Sequence, residues 1–302
     1  MKRGFAEEDK EGVVTNKGKI KILGISTAYR SSHACAREDP TSLELLKISL
    51  KEAEKSGAEI KLVDLRDLHI QPCKECYSTC PAQCRFNEKI NKCDCYMNDS
   101  PRIYLKNGKI LDLNEAYNSL SKEEFLKMIT SKENYDEGDD MHIVYKAMME
   151  ADGIIFAGFT NYYSRPALMQ LMFSRLCALD GGVEELWGDG KNLKNSLVYS
   201  KNKKKEYKQR LYGKSAAFIN VSKEGDSVSP DLMKACTMMG MKIIPFSTCY
   251  NVQWYSDSSH KTDKNKTLSD SYSINLAEFI GKEIVKEVKK SDRAYGIYSS
   301  IV

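Results

Sequence analysis

Thiols are the most concentrated reactive groups in this chain. Of its ten cysteines, Cys73, Cys76, Cys80, Cys84, Cys93 and Cys95 stand in one stretch, PCKECYSTCPAQCRFNEKINKCDCY. An even spread would put about one there. The spacing is C-x2-C-x3-C-x3-C-x8-C-x-C. Such short gaps let several thiolates converge on one centre, and four of them complete the iron coordination of a cubane [4Fe-4S] cluster. Zinc is the rival, held by four thiolates in a closed tetrahedron. Of the C-x2-C knuckles usual for zinc, only Cys73 and Cys76 form one. A third reading leaves the thiols without metal. The chain opens MKRGFAEEDKEG, with no apolar segment of the secretory kind. In that setting clustered cysteines read as metal or redox groups before disulfides, and the protein is expected in the cytoplasm. Cys177 and Cys236 lie inside helical patterns and are expected as buried apolar side chains.

The cysteines interrupt an otherwise regular alternation of elements. KIKILGIS (19–26) and AEIKLVDL (58–65) read as strands on either side of a helix with Leu43, Leu46, Leu50 and Ala53 on one face. Thr41 and Ser42 stand just ahead of that helix and Gly57 stops it. The pattern resumes at Asp139 with a helix, then the continuous apolar strand DGIIFAGF (152–159). SRPALMQLMFSRLCAL (164–179) is helical, with Pro166 in its first turn. Strands at 213–221 and 241–246 flank a helix at 229–240, and a final helix covers about 270–290. Five apolar strands alternating with amphipathic helices predict an α/β chain with a doubly wound parallel sheet. Five strands suit the flavodoxin-like order 2-1-3-4-5 better than the six-stranded dinucleotide fold. The expected organisation is a polar arm at 1–17 and one domain over 18–302. Its insertions are a cysteine-rich one at about 71–138 and a basic loop at about 180–212. Within the first, Asn107-Gly108 between alternating runs predicts a hairpin, and Ser121-Lys122-Glu123-Glu124 a capping box. In the second, KNKKKEYKQR reads as a solvated loop or as a docking patch for an acidic partner.

Composition narrows the function classes. A net charge of +4 on 302 residues is too small to argue for nucleic acid, and no apolar run is long enough to span a bilayer. No Ser-His-Asp, zinc-protease or paired-carboxylate pattern supports a hydrolase. In an open parallel sheet, ligands bind beyond the carboxyl ends of the strands. The first such loop, STAYRSSHACAREDPTS, is rich in hydroxyls, carries Arg30 and leads into a helix N-terminus. It suits a phosphate such as that of FMN, or it is an ordinary polar loop with a helix cap. It has no glycine-rich dinucleotide turn, and Gly213-Lys214-Ser215 lacks the upstream glycine of a triphosphate-binding loop. After the third strand, Asn161, Tyr162 and Tyr163 could border a flat ring, or be packing residues. After the fourth, Gly225 gives backbone freedom and Lys223 could neutralise a reduced ring, or the segment is a plain turn.

These pieces together resemble the iron–sulfur flavoprotein family, within the wider group of NADPH-dependent FMN reductases. The matching segments are Lys19–Ser26, Val63–Leu68 with Pro72, Cys73 and Cys76, then Asp139-Asp140-Met141, Glu150–Gly158 and Ser164–Leu176. The resemblance implies FMN and a [4Fe-4S] cluster in an oxidoreductase that passes electrons between NAD(P)H or a ferredoxin-like donor and an acceptor. It also implies a homodimer or homotetramer. Carried over, the phosphate grip falls on Ser26, Arg30, Ser32 and Ser42, the ring side on Phe159, Thr160, Asn161 and Tyr162, and the far loop on Ser222, Lys223 and Gly225. Cys73, Cys76 and Cys80 transfer as cluster ligands, with Cys84, Cys93 or Cys95 as the fourth. The chain departs from the family in its longer phosphate loop, its six clustered cysteines and the long insertion before Asp139. The alternatives are an FMN, quinone or nitro reductase with zinc or metal-free thiols, and a non-enzymatic zinc-knuckle module.

Overall fold

In β1 (Lys21–Ser26) every residue after Lys21 is buried, and in β4 (Ser215–Ser222) every residue is. Such strands must be covered on both faces, which a parallel sheet wrapped by helices provides. With β2 (Glu59–Asp64), β3 (Gly153–Phe159) and β5 (Lys242–Val252) they form one parallel sheet, ordered β5-β4-β3-β1-β2. The molecule is seen in a computed structural model that describes residues 18–30, 39–75, 86–87, 91–93, 96, 102–105, 109–130, 135–136, 138–179, 210–222, 228–252 and 270–298.

Helices α1 (Thr41–Lys55) and α7 (Ser271–Tyr298) cover one face, where Ile22, Ile155, Ala217 and Ile219 meet Leu46, Leu50, Ala277 and Ile284. The other face packs against α4 (Met141–Glu150), α5 (Ala167–Arg175) and α6 (Val228–Met238) through Leu23, Ile25, Phe156 and Phe218. α1 and α7 cross closely. A Cβ on Gly281 would lie 2.1 Å from the Ser49 carbonyl oxygen, so only glycine fits there. The half-buried Lys214 ammonium donates to the Met149 and Ala151 carbonyls and closes the C-terminus of α4. Burial holds its pKa below the ordinary lysine value.

Several element ends differ from the sequence reading, α7 among them, which runs past the expected end near 290 to Tyr298. Pro40 occupies the N-cap of α1, so Thr41 and Ser42 are its first helical residues. Pro166 is likewise the N-cap of α5, not part of its first turn. β5 runs past the expected Phe246 to Val252, with a register shift between Ile243 and Thr248.

The first insertion has structure of its own. Arg102–Tyr104 pairs antiparallel with Ile110–Asp112 and with Tyr135–Asp136. Ile103, Leu111 and Ala116 form a small core beneath α2 (Leu113–Ser119) and α3 (Lys122–Ile129). The capping box at Ser121 and Glu124 is present. The Asn107-Gly108 tip, the 1–17 arm and the KNKKKE run lie outside the described residues. Among the described residues no helix is long and apolar enough to cross a membrane.

Candidate functional site

β1, β3 and β4 end along one edge, and there a crevice of about 150 Å³ opens. Ala28, Arg30, Pro40, Thr41, Ser42, Phe159 and Val221 line it. The N-terminus of α1 opens on it, and no side chain caps that helix. First-turn N–H groups without intrahelical partners carry the positive end of the helix dipole. The hydroxyls of Ser26 and Thr41, 0% and 3% exposed, have no hydrogen-bond partner among the described residues, and neither has Arg30 Nε. Buried polar groups are nearly always paired, because leaving one unsatisfied costs about 1–3 kcal/mol. An orphaned hydroxyl and a guanidinium with its Nε unpaired at an uncapped helix start fit a bound anion such as a phosphate.

The loop carrying Arg30 is fastened by a residue the sequence reading passed over. Arg66 donates to the Arg30 carbonyl (2.8 Å) and to Asp39 (2.9 Å), and grips Asp64 through Nε and Nη2. Arg30 in turn donates to the Asp39 carbonyl (2.9 Å). The two ends of the loop are thereby tied together. The hydrogen bond to Asp64 raises the Arg66 pKa, more than burial lowers it. Gly158 lets the two layers close: a Cβ there would lie 2.5 Å from Thr27 Oγ1 and 2.7 Å from Met169 Cε.

On the ring side, Phe159 borders the crevice. Thr160 turns inward, and its hydroxyl accepts from the Asn220 amide at 3.0 Å. Asn161 and Ser164 bond to each other through their backbones, making Tyr162 and Tyr163 the two central residues of a tight turn. Both tyrosines have positive φ, 48° and 60°, uncommon for large side chains. They are 86% and 66% exposed, so the packing reading does not hold for them. Of the expected binding residues, Arg30, Ser42 and Phe159 meet at the crevice, with Ser26 at the end of β1. Ser222 is buried at the end of β4. Ser32, Lys223 and Gly225 lie outside the described residues. Thr41 joins the set as the helix-start hydroxyl without a partner. The signal for it was Pro40, whose place before Thr41 suits an N-cap followed by two polar helical residues.

The cysteine region begins at a buried ionic brace. Arg175 and Asp139, 2% and 4% exposed, form a two-pronged pair at 2.8 and 3.0 Å. Arg175 also donates to the Gln71 carbonyl, and Asp139 accepts from the Gln71 N–H. Asp140 accepts from the His69 N–H at 2.9 Å, and its own N–H donates back to the His69 carbonyl. Tyr96 lies under the Arg175 guanidinium at 3.8 Å, and its hydroxyl donates to the Pro72 carbonyl. The chain leading into Cys73 is thus pinned to the start of α4 and the end of α5.

Cys73 is half-buried, Cys93 is buried in the apolar core, and Cys76, Cys80, Cys84 and Cys95 lie outside the described residues. Among the described residues no group of three or more His, Cys, Asp or Glu side chains is placed to hold a metal ion. Cys177 is not the buried apolar residue expected of it. It is half-buried, and its thiol donates to the Ser174 carbonyl at 3.5 Å. Cys236 does match its expectation: it is buried, and burial pushes its thiol up to about 12. Its thiol is expected to stay unlabelled by an aromatic disulfide reagent at pH 8 in the native protein and to react once urea unfolds the chain. Labelling of native Cys236 within minutes would contradict its placement.

No family model matches the chain, and no curated protein does. Solved structures match it. RosB, with the bound intermediate 8-demethyl-8-formylriboflavin-5′-phosphate, is 14% identical with a TM-score of 0.54, over 91% of this chain and 81% of its own. A flavone reductase is 17% identical with a TM-score of 0.48, over 89% of this chain and 63% of its own. A flavodoxin, WrbA-like protein from Agrobacterium tumefaciens is 8% identical with a TM-score of 0.41, over 90% and 99%. The chain shares the fold of RosB. Its five parallel strands, ordered 2-1-3-4-5 along the chain, are those of the flavodoxin-like class.

Proposed function

We propose that the protein is a flavin-dependent oxidoreductase that holds FMN in the crevice and pairs it with a [4Fe-4S] cluster on the cysteine-rich segment. The observation that carries the flavin reading is the buried, unpartnered Thr41 hydroxyl at the uncapped start of α1, together with that of Ser26 at the end of β1. The riboflavin phosphate derivative bound to RosB supports it. Bound FMN supplies a ring that takes up a hydride or exchanges single electrons.

The chain's own residues do the positioning. The first N–H groups of α1 and the hydroxyls of Ser26, Thr41 and Ser42 donate to the phosphate, while Arg30 offsets its charge. Arg66 holds the Arg30 loop in place. The backbone from Phe159 to Asn161 borders the ring, and the Tyr162-Tyr163 turn stands at its open side. The cluster reading rests on the cysteine spacing, with Cys73, Cys76 and Cys80 as ligands. NAD(P)H or a ferredoxin-like carrier supplies the electrons, and the chain works as a homodimer or homotetramer.

Anaerobically purified protein is expected to be brown, with iron, acid-labile sulfide and about one FMN per chain. A yellow protein without iron would leave the flavin reading and remove the cluster; a colourless one that takes up no FMN would sink both. Replacing Ser26 by alanine and Thr41 by valine removes two charge-assisted hydrogen bonds of about 1.5–3 kcal/mol each. Each change is expected to weaken FMN binding roughly tenfold or more in a fluorescence titration. Riboflavin, which lacks the phosphate, is expected to bind the variants as it binds the parent. Equal weakening for both ligands would place the phosphate elsewhere.

A further inference from the structure

The Tyr162-Tyr163 turn is built in a way that its own packing does not explain. Asn161 and Ser164 bond reciprocally through their backbones, at 2.9 and 3.0 Å, and the two tyrosines between them have φ of 48° and 60°. Positive φ at both central positions is the mark of a type I′ turn, where Asn-Gly is the favoured pair. A bulky side chain there is strained, because its Cβ crowds the backbone. Burial could offset that strain, but most of each tyrosine faces solvent. Their rings meet edge to face, with centroids 6.0 Å apart and planes at 67°, and so form a shallow corner. Strain held at an exposed position points to a ligand.

The turn is held firmly at both ends. On entry, the Thr160 N–H donates to the Val221 carbonyl at 3.0 Å, and the Thr160 hydroxyl accepts from Asn220. On exit, Arg165 Nε donates to Asp231 in the first turn of α6 at 2.6 Å, and Nη2 donates to the same oxygen. The Arg165 guanidinium also lies 5.4 Å over the Phe173 ring. These anchors tie the loop after β3 to the end of β4 and the start of α6. A fixed pair of aromatic rings loses little freedom on binding. Thr160 to Ser164 includes no charged residue, so the turn offers stacking faces and hydroxyls rather than a grip on an anion. Phe159, one residue before Thr160, lines the crevice.

We propose that Tyr162 and Tyr163 form a binding platform for a flat, uncharged aromatic molecule that lies beside the flavin. The proposal rests on the flavin reading above and adds a second ring at the same edge of the sheet.

The test replaces the pair by the residues this turn favours, in the full-length protein: Tyr162→Asn together with Tyr163→Gly. The probe is 2-naphthol, and its saturated counterpart, decahydro-2-naphthol, controls for mere apolarity. Binding is followed by equilibrium dialysis, with FMN content, thermal unfolding and oligomer mass measured alongside. The parent is expected to bind 2-naphthol saturably and about fivefold more tightly than the saturated alcohol. The Asn-Gly protein is expected to bind it about fivefold more weakly than the parent, to unfold no earlier, and to keep its FMN. Tyr162→Phe together with Tyr163→Phe keeps both rings and is expected to bind within about twofold of the parent. Tyr212→Ala, which removes an exposed tyrosine ahead of β4 at the opposite edge, is expected to match the parent. A parent that does not bind the probe, or an Asn-Gly protein that binds it equally, overturns the platform and leaves the flavin reading standing. An Asn-Gly protein that unfolds earlier, loses FMN or changes its oligomer mass also overturns it, because the tyrosines then serve packing, the flavin or a subunit contact. A parent that takes up no FMN removes the flavin reading, and loss of probe binding in the Asn-Gly protein then supports the platform alone.

Discussion

Asp139→Ala is expected to lower unfolding stability by about 3–5 kcal/mol, because it leaves the Arg175 guanidinium buried without its counter-charge. Arg175 is 2% exposed, so water cannot replace the carboxylate. Burial works against its charge, and the hydrogen bonds to Asp139 outweigh that and hold its pKa above the ordinary value. The same change orphans the Gln71 N–H. The double variant Asp139→Ala, Arg175→Met removes both charges and is expected to be more stable than the single one. Urea unfolding measures both. A loss under about 1 kcal/mol in the single variant would mean that Arg175 finds another partner. This brace also explains why Asp139-Asp140 and the Arg-Leu end of α5 accompany the cysteines in the sequence: they fix the backbone from His69 to Cys73.

Gly281→Ala is the second large effect, and here two terms oppose each other. Within a helix the alanine gains roughly 1 kcal/mol over glycine. Its methyl group, however, would lie 2.1 Å from the Ser49 carbonyl oxygen and 3.0 Å from Glu52 Cβ. The obstructing atom is backbone of a packed helix, so α1 and α7 must move apart. Overpacking of this kind costs about 1–3 kcal/mol and sometimes more. Steric cost is expected to win, with the melting temperature falling by roughly 2–4 °C per kcal/mol lost. Gly18→Ala is the control, since nothing lies within 4 Å of a Cβ there. A melting temperature that rises in Gly281→Ala would show that the crossing has slack.

The sheet was legible because burial on both faces leaves a strong local mark. Ile154–Ala157 and Ala216–Ile219 are continuous apolar runs, and each is fully buried. The placement of the crevice followed from topology alone, and Arg30, Ser42 and Phe159 line it. What escaped sequence reading has a common cause. Arg66 with Asp39 and Arg175 with Asp139 are partnerships across long stretches of chain, between residues whose local patterns look unremarkable. Cys177 sits at helical spacing among apolar neighbours, so locally it is indistinguishable from Cys236. Thr41 and Ser42 read as standing just ahead of the helix because hydroxyls before a leucine-rich run are the usual signal, and Pro40 takes the cap position instead.

The three-stranded sheet between β2 and α4 bears on how the chain reaches its native state. β1 hydrogen-bonds to β3 at the centre of the large sheet, and the Lys21–Asp152 contact there spans 131 residues. Closing a longer loop adds only about 0.6 kcal/mol per doubling, so lodging an extra unit there costs little at equilibrium. Speed is another matter, since rates fall as native pairings become less local. Refolding is therefore expected to be slow, with the central strand pair waiting until the intervening chain has collapsed.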